Sequence, residues 1–162
     1  MGKKLVKYSK LILLVVLAGI LVGVGIYVFR KLDPDHQLID IENSLTKLAQ
    51  DLTNQDFEAI NKHFTDNAVF IFEDNEVVYS KGIEKLKAEM SSDFNIEFIM
   101  RVITSNDGEK MTCTANGKMT LDGKKSYPEY EFQFEKVSPF SWKITKMSAE
   151  RNDLFKNAFG EN

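Results

Sequence analysis

The chain has 162 residues, of which 21 are basic and 24 acidic, and a single cysteine, Cys113. One cysteine excludes an intrachain disulfide scaffold and a cysteine-rich metal site. Six of the basic residues lie at or before Lys31, so the remainder sets 15 basic against 24 acidic residues, a net charge near −9. Such a domain is repelled by phosphate backbones, which argues against nucleic-acid binding.

Lys3, Lys4, Lys7 and Lys10 precede an uninterrupted apolar run, Leu11 to Phe29. As a helix it reaches about 28 Å at ~1.5 Å per residue, close to the hydrocarbon thickness of a bilayer. Residues 11–29 are therefore expected to be a transmembrane helix, with residues 1–10 a basic cytoplasmic tail and residues 30–35 a linker. The lysines place the N-terminus inside and the C-terminal domain outside the cell membrane, although Arg30 and Lys31 on the far side weaken that bias. The run is longer than the apolar core of a cleaved signal peptide. Leu17-Ala18-Gly19 is followed by Ile20 rather than an acylatable cysteine, and Val6 stands where myristoylation needs Ser or Thr. Gly19 and Gly23 form a small-xxx-small pair that lets two membrane helices approach.

Asp33-Pro34 reads as an N-cap and first helical residue. Leu38, Ile41, Leu45, Leu48 and Leu52 then form one apolar stripe of a helix of about five turns. Thr53-Asn54-Gln55 ends it, and Thr53 or Asn54 caps a shorter helix burying Phe57, Ile60 and Phe64. Val69 to Phe72 is a strand, Glu73 to Glu76 its turn, and Val77 to Tyr79 a second strand. Gly82 opens a helix with Ile83, Leu86 and Met90 on one side. From Phe94 onward the period becomes two. Ile96, Phe98, Met100 and Val102 face one way, and Glu97, Ile99, Arg101 and Ile103 the other. Turns at Asn106-Asp107-Gly108, Asp122-Gly123 and Ser138-Pro139 separate this strand from three more, whose inward residues include Met111, Cys113, Ala115, Met119, Leu121, Tyr130, Phe132, Phe134, Trp142 and Ile144. The expected product is an α+β domain, helices covering the apolar face of a curved antiparallel sheet. Residues 151–162 form a tail whose Leu154, Phe155, Ala158 and Phe159 make a short amphipathic helix capped by Asn152 or Asp153. That helix either packs on the domain's own open edge or docks on a partner.

Four phrases stand in this order: residues 48–60, Leu48-Ala49-Gln50-Asp51-Leu52-Thr53-Asn54-Gln55-Asp56-Phe57-Glu58-Ala59-Ile60; residues 63–70, His63-Phe64-Thr65-Asp66-Asn67-Ala68-Val69-Phe70; residues 79–86, Tyr79-Ser80-Lys81-Gly82-Ile83-Glu84-Lys85-Leu86; and residues 141–145, Ser141-Trp142-Lys143-Ile144-Thr145. Together they resemble the nuclear transport factor 2-like superfamily, particularly its small polyketide-cyclase-like members, over residues 36–150. The resemblance implies a cone-shaped fold around a central apolar cavity, and no single function, because its members include enzymes, ligand binders and interaction modules.

Ketosteroid-isomerase-like relatives use a first-helix tyrosine with two aspartates, but the span from Asp33 to Asn54 holds no tyrosine and the inward strand positions hold no carboxylate. Epoxide-hydrolase-like relatives use an aspartate–arginine–aspartate set, whereas only Arg101 and Arg151 follow the linker, and Arg101 falls on the polar parity. No catalytic residue, metal ligand or cofactor is assigned. His63 reads as a surface histidine ending its helix, and His36 shares no ligand spacing with it. Glu129, Glu131 and Glu135 read as a solvated face opposite Lys143 or Lys118. The residues expected to line a ligand cavity are Tyr79, Phe98, Met100, Cys113, Tyr130, Phe132 and Trp142.

The sequence therefore favours a non-enzymatic, membrane-anchored domain that binds a partner protein or a small lipophilic ligand outside the cytoplasm. Ile99 and Ile103 beside Arg101 mark a surface for a homodimer. Two alternatives remain: a scaffold subunit of a secretion or conjugation apparatus, and a small cavity enzyme of isomerase or cyclase type.

Overall fold

The computed structural model describes residues 12, 15–28, 34–73, 75–138, 141–150 and 152–160. Residues 15–28 are helical (α1), with every side chain exposed. Leu11, Leu13, Leu14 and Phe29 of the apolar run lie outside the described residues, as do Asp33 and Pro139. Among the described residues no helix is long and apolar enough to cross a membrane.

The order continues α2 (Pro34–Thr53), α3 (Phe57–His63), β1 (Phe64–Phe72), β2 (Asn75–Val78), α4 (Tyr79–Glu89), β3 (Asn95–Asn106), β4 (Lys110–Leu121), β5 (Lys124–Ser126), β6 (Glu129–Ser138), β7 (Ser141–Glu150) and α5 (Asp153–Phe159). The expected meander is present as β3-β4-β6-β7, with β5 extending β6's side of the β4 ladder. The sheet is mixed rather than antiparallel, because β1 joins the free edge of β7 in parallel, Phe70 opposite Met147. No hairpin turn dictates that pairing. It follows from the route of the chain, which crosses through β2 and α4 to reach the far edge at β3.

Several local expectations move for tertiary reasons. Phe64 leaves the second helix to open β1, opposite Ile144. Asp56, not Thr53 or Asn54, caps α3 by accepting from the Ala59 amide at 3.0 Å, after Gln55 turns the chain with φ 54°. Tyr79 is the first residue of α4 rather than the last of a strand. The buried stripe of α2 begins at Gln37 and Ile41, while Leu38 is exposed. Gln37 accepts from Asn106 Nδ2 at 3.1 Å, fixing the start of α2 to the end of β3. On β3 a bulge leaves Arg101 without a partner on β4, since Met100 pairs with Ala115 and Val102 with Thr114. The extra residue reverses the parity, so Val102 is 56% exposed and Ile103 packs on the core.

Gly82, Gly117 and Gly160 each sit where an added Cβ would come within 3.0 Å of a neighbouring atom, and Gly82 is the tightest. Phe70 lies against Gly82 in the second turn of α4, and a Cβ there would overlap its ring. Gly82→Ala is expected to destabilise the domain by about 1–3 kcal/mol in urea denaturation, because the ring must shift within a packed core.

Candidate functional site

The concave face of the sheet and the helices over it enclose the place where a ligand cavity is expected. It is filled. Among the described residues, the space found there is about 20 Å³, lined by residues including Leu52, Phe70, Met90, Tyr130, Met147 and Phe155. That is room for a single water-sized sphere. Tyr130 is the one lining residue with a polar side chain.

The tail helix α5 takes part in this filling through Leu154 and Phe155. Asn152 caps it, accepting from the Phe155 amide at 3.0 Å, and its Nδ2 donates to the Tyr130 hydroxyl at 2.5 Å. Phe155 then meets Phe70 edge-on at 5.9 Å and Tyr130 at 6.1 Å, while Phe159 stacks on Phe70 at 5.8 Å. Tail and core form one packed unit.

Of the seven residues expected to line a cavity, only Tyr130 borders the residual space. Phe98 and Phe132 pack edge-on to each other at 5.2 Å, and Phe98 meets Tyr130 at 5.1 Å, so these three rings form one cluster. Tyr79 belongs to another, stacked on Phe64 at 4.6 Å, with its hydroxyl donating to Asn61 Oδ1 at 2.6 Å. Met100 is half-buried. Trp142 sits opposite Lys136 near the β6–β7 turn, the Lys136 Nζ 5.2 Å above its ring. Both Nζ and Trp142 Nε1 are buried without a hydrogen-bond partner among the described residues, so the ring face is what offsets the desolvated charge.

The buried titratable groups are held neutral. Burial, reinforced by the nearby Glu131 carboxylate, pushes the Cys113 thiol from 9.0 to about 12. Burial raises the Tyr79 hydroxyl to about 12 and drives Tyr130 up further, against the opposing hydrogen bond from Asn152. His63 is not a free surface residue. Its Nε2 lies 2.7 Å from Asp51 Oδ2 with the imidazole 13% exposed, which ties the end of α3 to α2. Glu135 does face Lys143 and also Lys110, whereas Lys118 stands opposite Glu97. Among the described residues no group of histidine, cysteine and carboxylate side chains is placed to hold a metal ion.

An open groove lies elsewhere. It measures about 330 Å³ between the second half of α2 and the start of β3, lined by Thr46, Ala49, Gln50, Thr53, Asn54 and residues 95–98. Thr53 fastens its floor: the hydroxyl accepts from Ile96 N at 3.1 Å and donates to Ile96 O at 3.3 Å. Sequence reasoning placed Phe98 in a central cavity and passed over the helical face. The spacing of Thr46, Ala49 or Gln50, and Thr53 was the available signal, small and polar residues flanking the apolar stripe.

No protein-family model and no curated protein sequence matches this chain. Solved structures do. A protein of Novosphingobium aromaticivorans, provisionally named an aromatic ring hydroxylase, superposes with TM-score 0.63 at 18% identity, covering 73% of this chain and 90% of its own. An NTF-2 like protein of unknown function from Shewanella oneidensis gives 0.62 at 12% identity, covering 70% and 98%. A ketosteroid isomerase-like protein from Erwinia carotovora atroseptica gives 0.55 at 14%, covering 70% and 95%. The fold is the nuclear transport factor 2-like fold, as the four sequence phrases implied. At such identities the likeness carries the fold and nothing of the chemistry.

Two outcomes follow from the packing. Phe155→Ala is expected to lower stability by about 3–5 kcal/mol in urea denaturation, as for other large-to-small core changes. Cys113 is expected to resist iodoacetamide at pH 8 in the native protein and to react once the chain is unfolded. The folded thiol keeps its proton to about pH 12 while the ordinary value is 9.0. The contribution of the buried thiol to stability is therefore constant below pH 9 and is lost as the pH climbs through that window, measurable as a declining denaturation midpoint.

Proposed function

We propose that this protein is a membrane-anchored, non-enzymatic interaction domain that works through its surface. The observation that carries this reading is the interior: about 20 Å³ of space, lined in part by the chain's own α5 and bordered by one polar side chain. An isomerase or cyclase reaction needs converging titratable groups around a substrate-sized space, typically about 300 Å³ or more. Ketosteroid-isomerase-like and other enzyme-named neighbours share the fold without lending this interior their chemistry.

The anchor rests on the apolar run. Every described side chain over 15–28 is exposed, among them Val15, Leu17, Ile20, Leu21, Val22, Val24 and Ile26. A contiguous apolar surface of that kind is a liability in water and is stabilised by lipid. In this reading residues 11–29 span the cell membrane, residues 1–10 stay in the cytoplasm and the folded domain stands outside, within reach of another membrane protein.

A second reading, binding of a small lipophilic ligand, is favoured by the α2–β3 groove, whose 330 Å³ falls within the range of ligand sites. Ala49, Ile96 and Phe98 supply its apolar part. The scaffold role in a secretion or conjugation apparatus is a special case of the interaction reading and predicts copurifying envelope partners.

The anchor is tested by fractionation. The full chain is expected in the membrane pellet after alkaline carbonate washing, and its C-terminal domain is expected to be cleaved by protease added outside intact cells. Val22→Arg should move protein into the soluble fraction, since a cation at mid-span costs about 2.5–3.5 kcal/mol. Quantitative release of the unaltered chain by carbonate would contradict the reading.

A further inference from the structure

We propose that β3 is an interface for a second copy of this chain, the two strands pairing antiparallel, edge to edge, about a twofold axis at Ile99. This deepens the interaction reading by naming its partner, although the pairing itself needs no membrane.

Among the described residues β3 is an outer strand of the sheet, with β4 its only strand neighbour. Its edge is apolar and charged in a particular order: Glu97 exposed, Ile99 54% exposed, Arg101 exposed. Antiparallel pairing centred on Ile99 sets residue 97 of one copy opposite residue 101 of the other. Glu97 then meets Arg101 twice, once on each side of an Ile99–Ile99 contact. Isologous interfaces require this self-complementarity. Neither charge has an ion-pair partner among the described residues; the nearest opposite charge by register is Lys118, facing Glu97 across the β4 ladder.

The backbone sets the same register. Thr53 binds both the N–H and the C=O of Ile96, so those groups point away from β4. Strand alternation then directs the groups of Phe98 and Met100 outward as well, and those of Ile99 inward. Phe98 of one copy and Met100 of the other become hydrogen-bonded pairs, and Ile99–Ile99 the non-hydrogen-bonded pair between them. Thr53 closes the edge on one side and the Arg101 bulge on the other. Those stops limit the pairing to a short segment and block open-ended strand addition. A twofold perpendicular to the sheet also keeps both copies' α2 on one side, so both chains would approach a bilayer from the same side.

The test uses the full chain in its host membrane or in detergent. In a non-hydrogen-bonded pair Cα atoms lie about 4.5 Å apart, within disulfide range. Ile99→Cys is expected to form a covalent dimer under mild oxidation, while Val137→Cys, at another exposed apolar site, stays monomeric. In the Ile99→Cys background, Glu97→Arg or Arg101→Glu alone should cut dimer formation about tenfold, by replacing two attractive cross-strand pairs with two repulsive ones. The double reversal should restore it. Cross-linking at 99 no greater than at 137, an adduct of another mass at 99, or a double reversal no better than the singles would each overturn the proposal. Dimer formation by protein that carbonate releases from the membrane would support the pairing while contradicting the anchor, so the two failures are separable.

Discussion

Phe70 brings distant stretches of chain to one place. From the middle of β1 its ring meets Phe64 at 5.6 Å, Tyr79 at 5.5 Å, Phe155 at 5.9 Å and Phe159 at 5.8 Å, and it presses on the backbone at Gly82. The start of β1, the start of α4 and the tail helix therefore share one packing constraint. Because β1 adds to β7 in parallel without a turn to guide it, this ring cluster is what holds that edge of the sheet against the helices. Leu154, Phe155 and Phe159 each contribute on the order of 1.5–3 kcal/mol by burial, enough to make α5 a permanent part of the core.

That constraint decides what the fold is free to do. A cone of this kind offers a natural hollow, and here it is packed with core side chains, the tail's Leu154 and Phe155 among them, with Asn152 satisfying the one hydroxyl at its edge. Two of its buried ionisable groups, Cys113 and Tyr79, are held protonated to about pH 12. In the function proposed above, the working parts are on the surface: the α2–β3 groove, the exposed edge of β3, and the apolar helix that precedes the domain. The groove and the strand edge both lie at β3, the strand farthest from β1 in the sheet order.

Periodicity made the element types legible. The alternation from Ile96 to Ile144 yielded the meander and nearly all of its inward residues, and the tail's Leu154, Phe155, Ala158 and Phe159 announced a helix. The errors fall where non-local contacts override local pattern. Phe64 looks helical by spacing but is claimed by the ladder to Ile144, and the Arg101 bulge exchanges Ile103 for Val102. The candidate site was the least legible part. A list of inward aromatics is the same whether they line a cavity or fill it, and only the three-dimensional position of α5 distinguishes the two. The Asn152–Tyr130 bond, between residues 22 apart on different elements, had no sequence signal beyond the capping role of Asn152.

The central claim, a closed interior with function on the outside, is tested most directly by methyl NMR. Met90 and Met147 border the residual space. With methionine methyls labelled in the full chain, titration with a small apolar probe such as benzene is expected to leave both resonances unmoved. Saturable shifts at Met90 and Met147 would show an interior that opens to ligands, and would contradict the account.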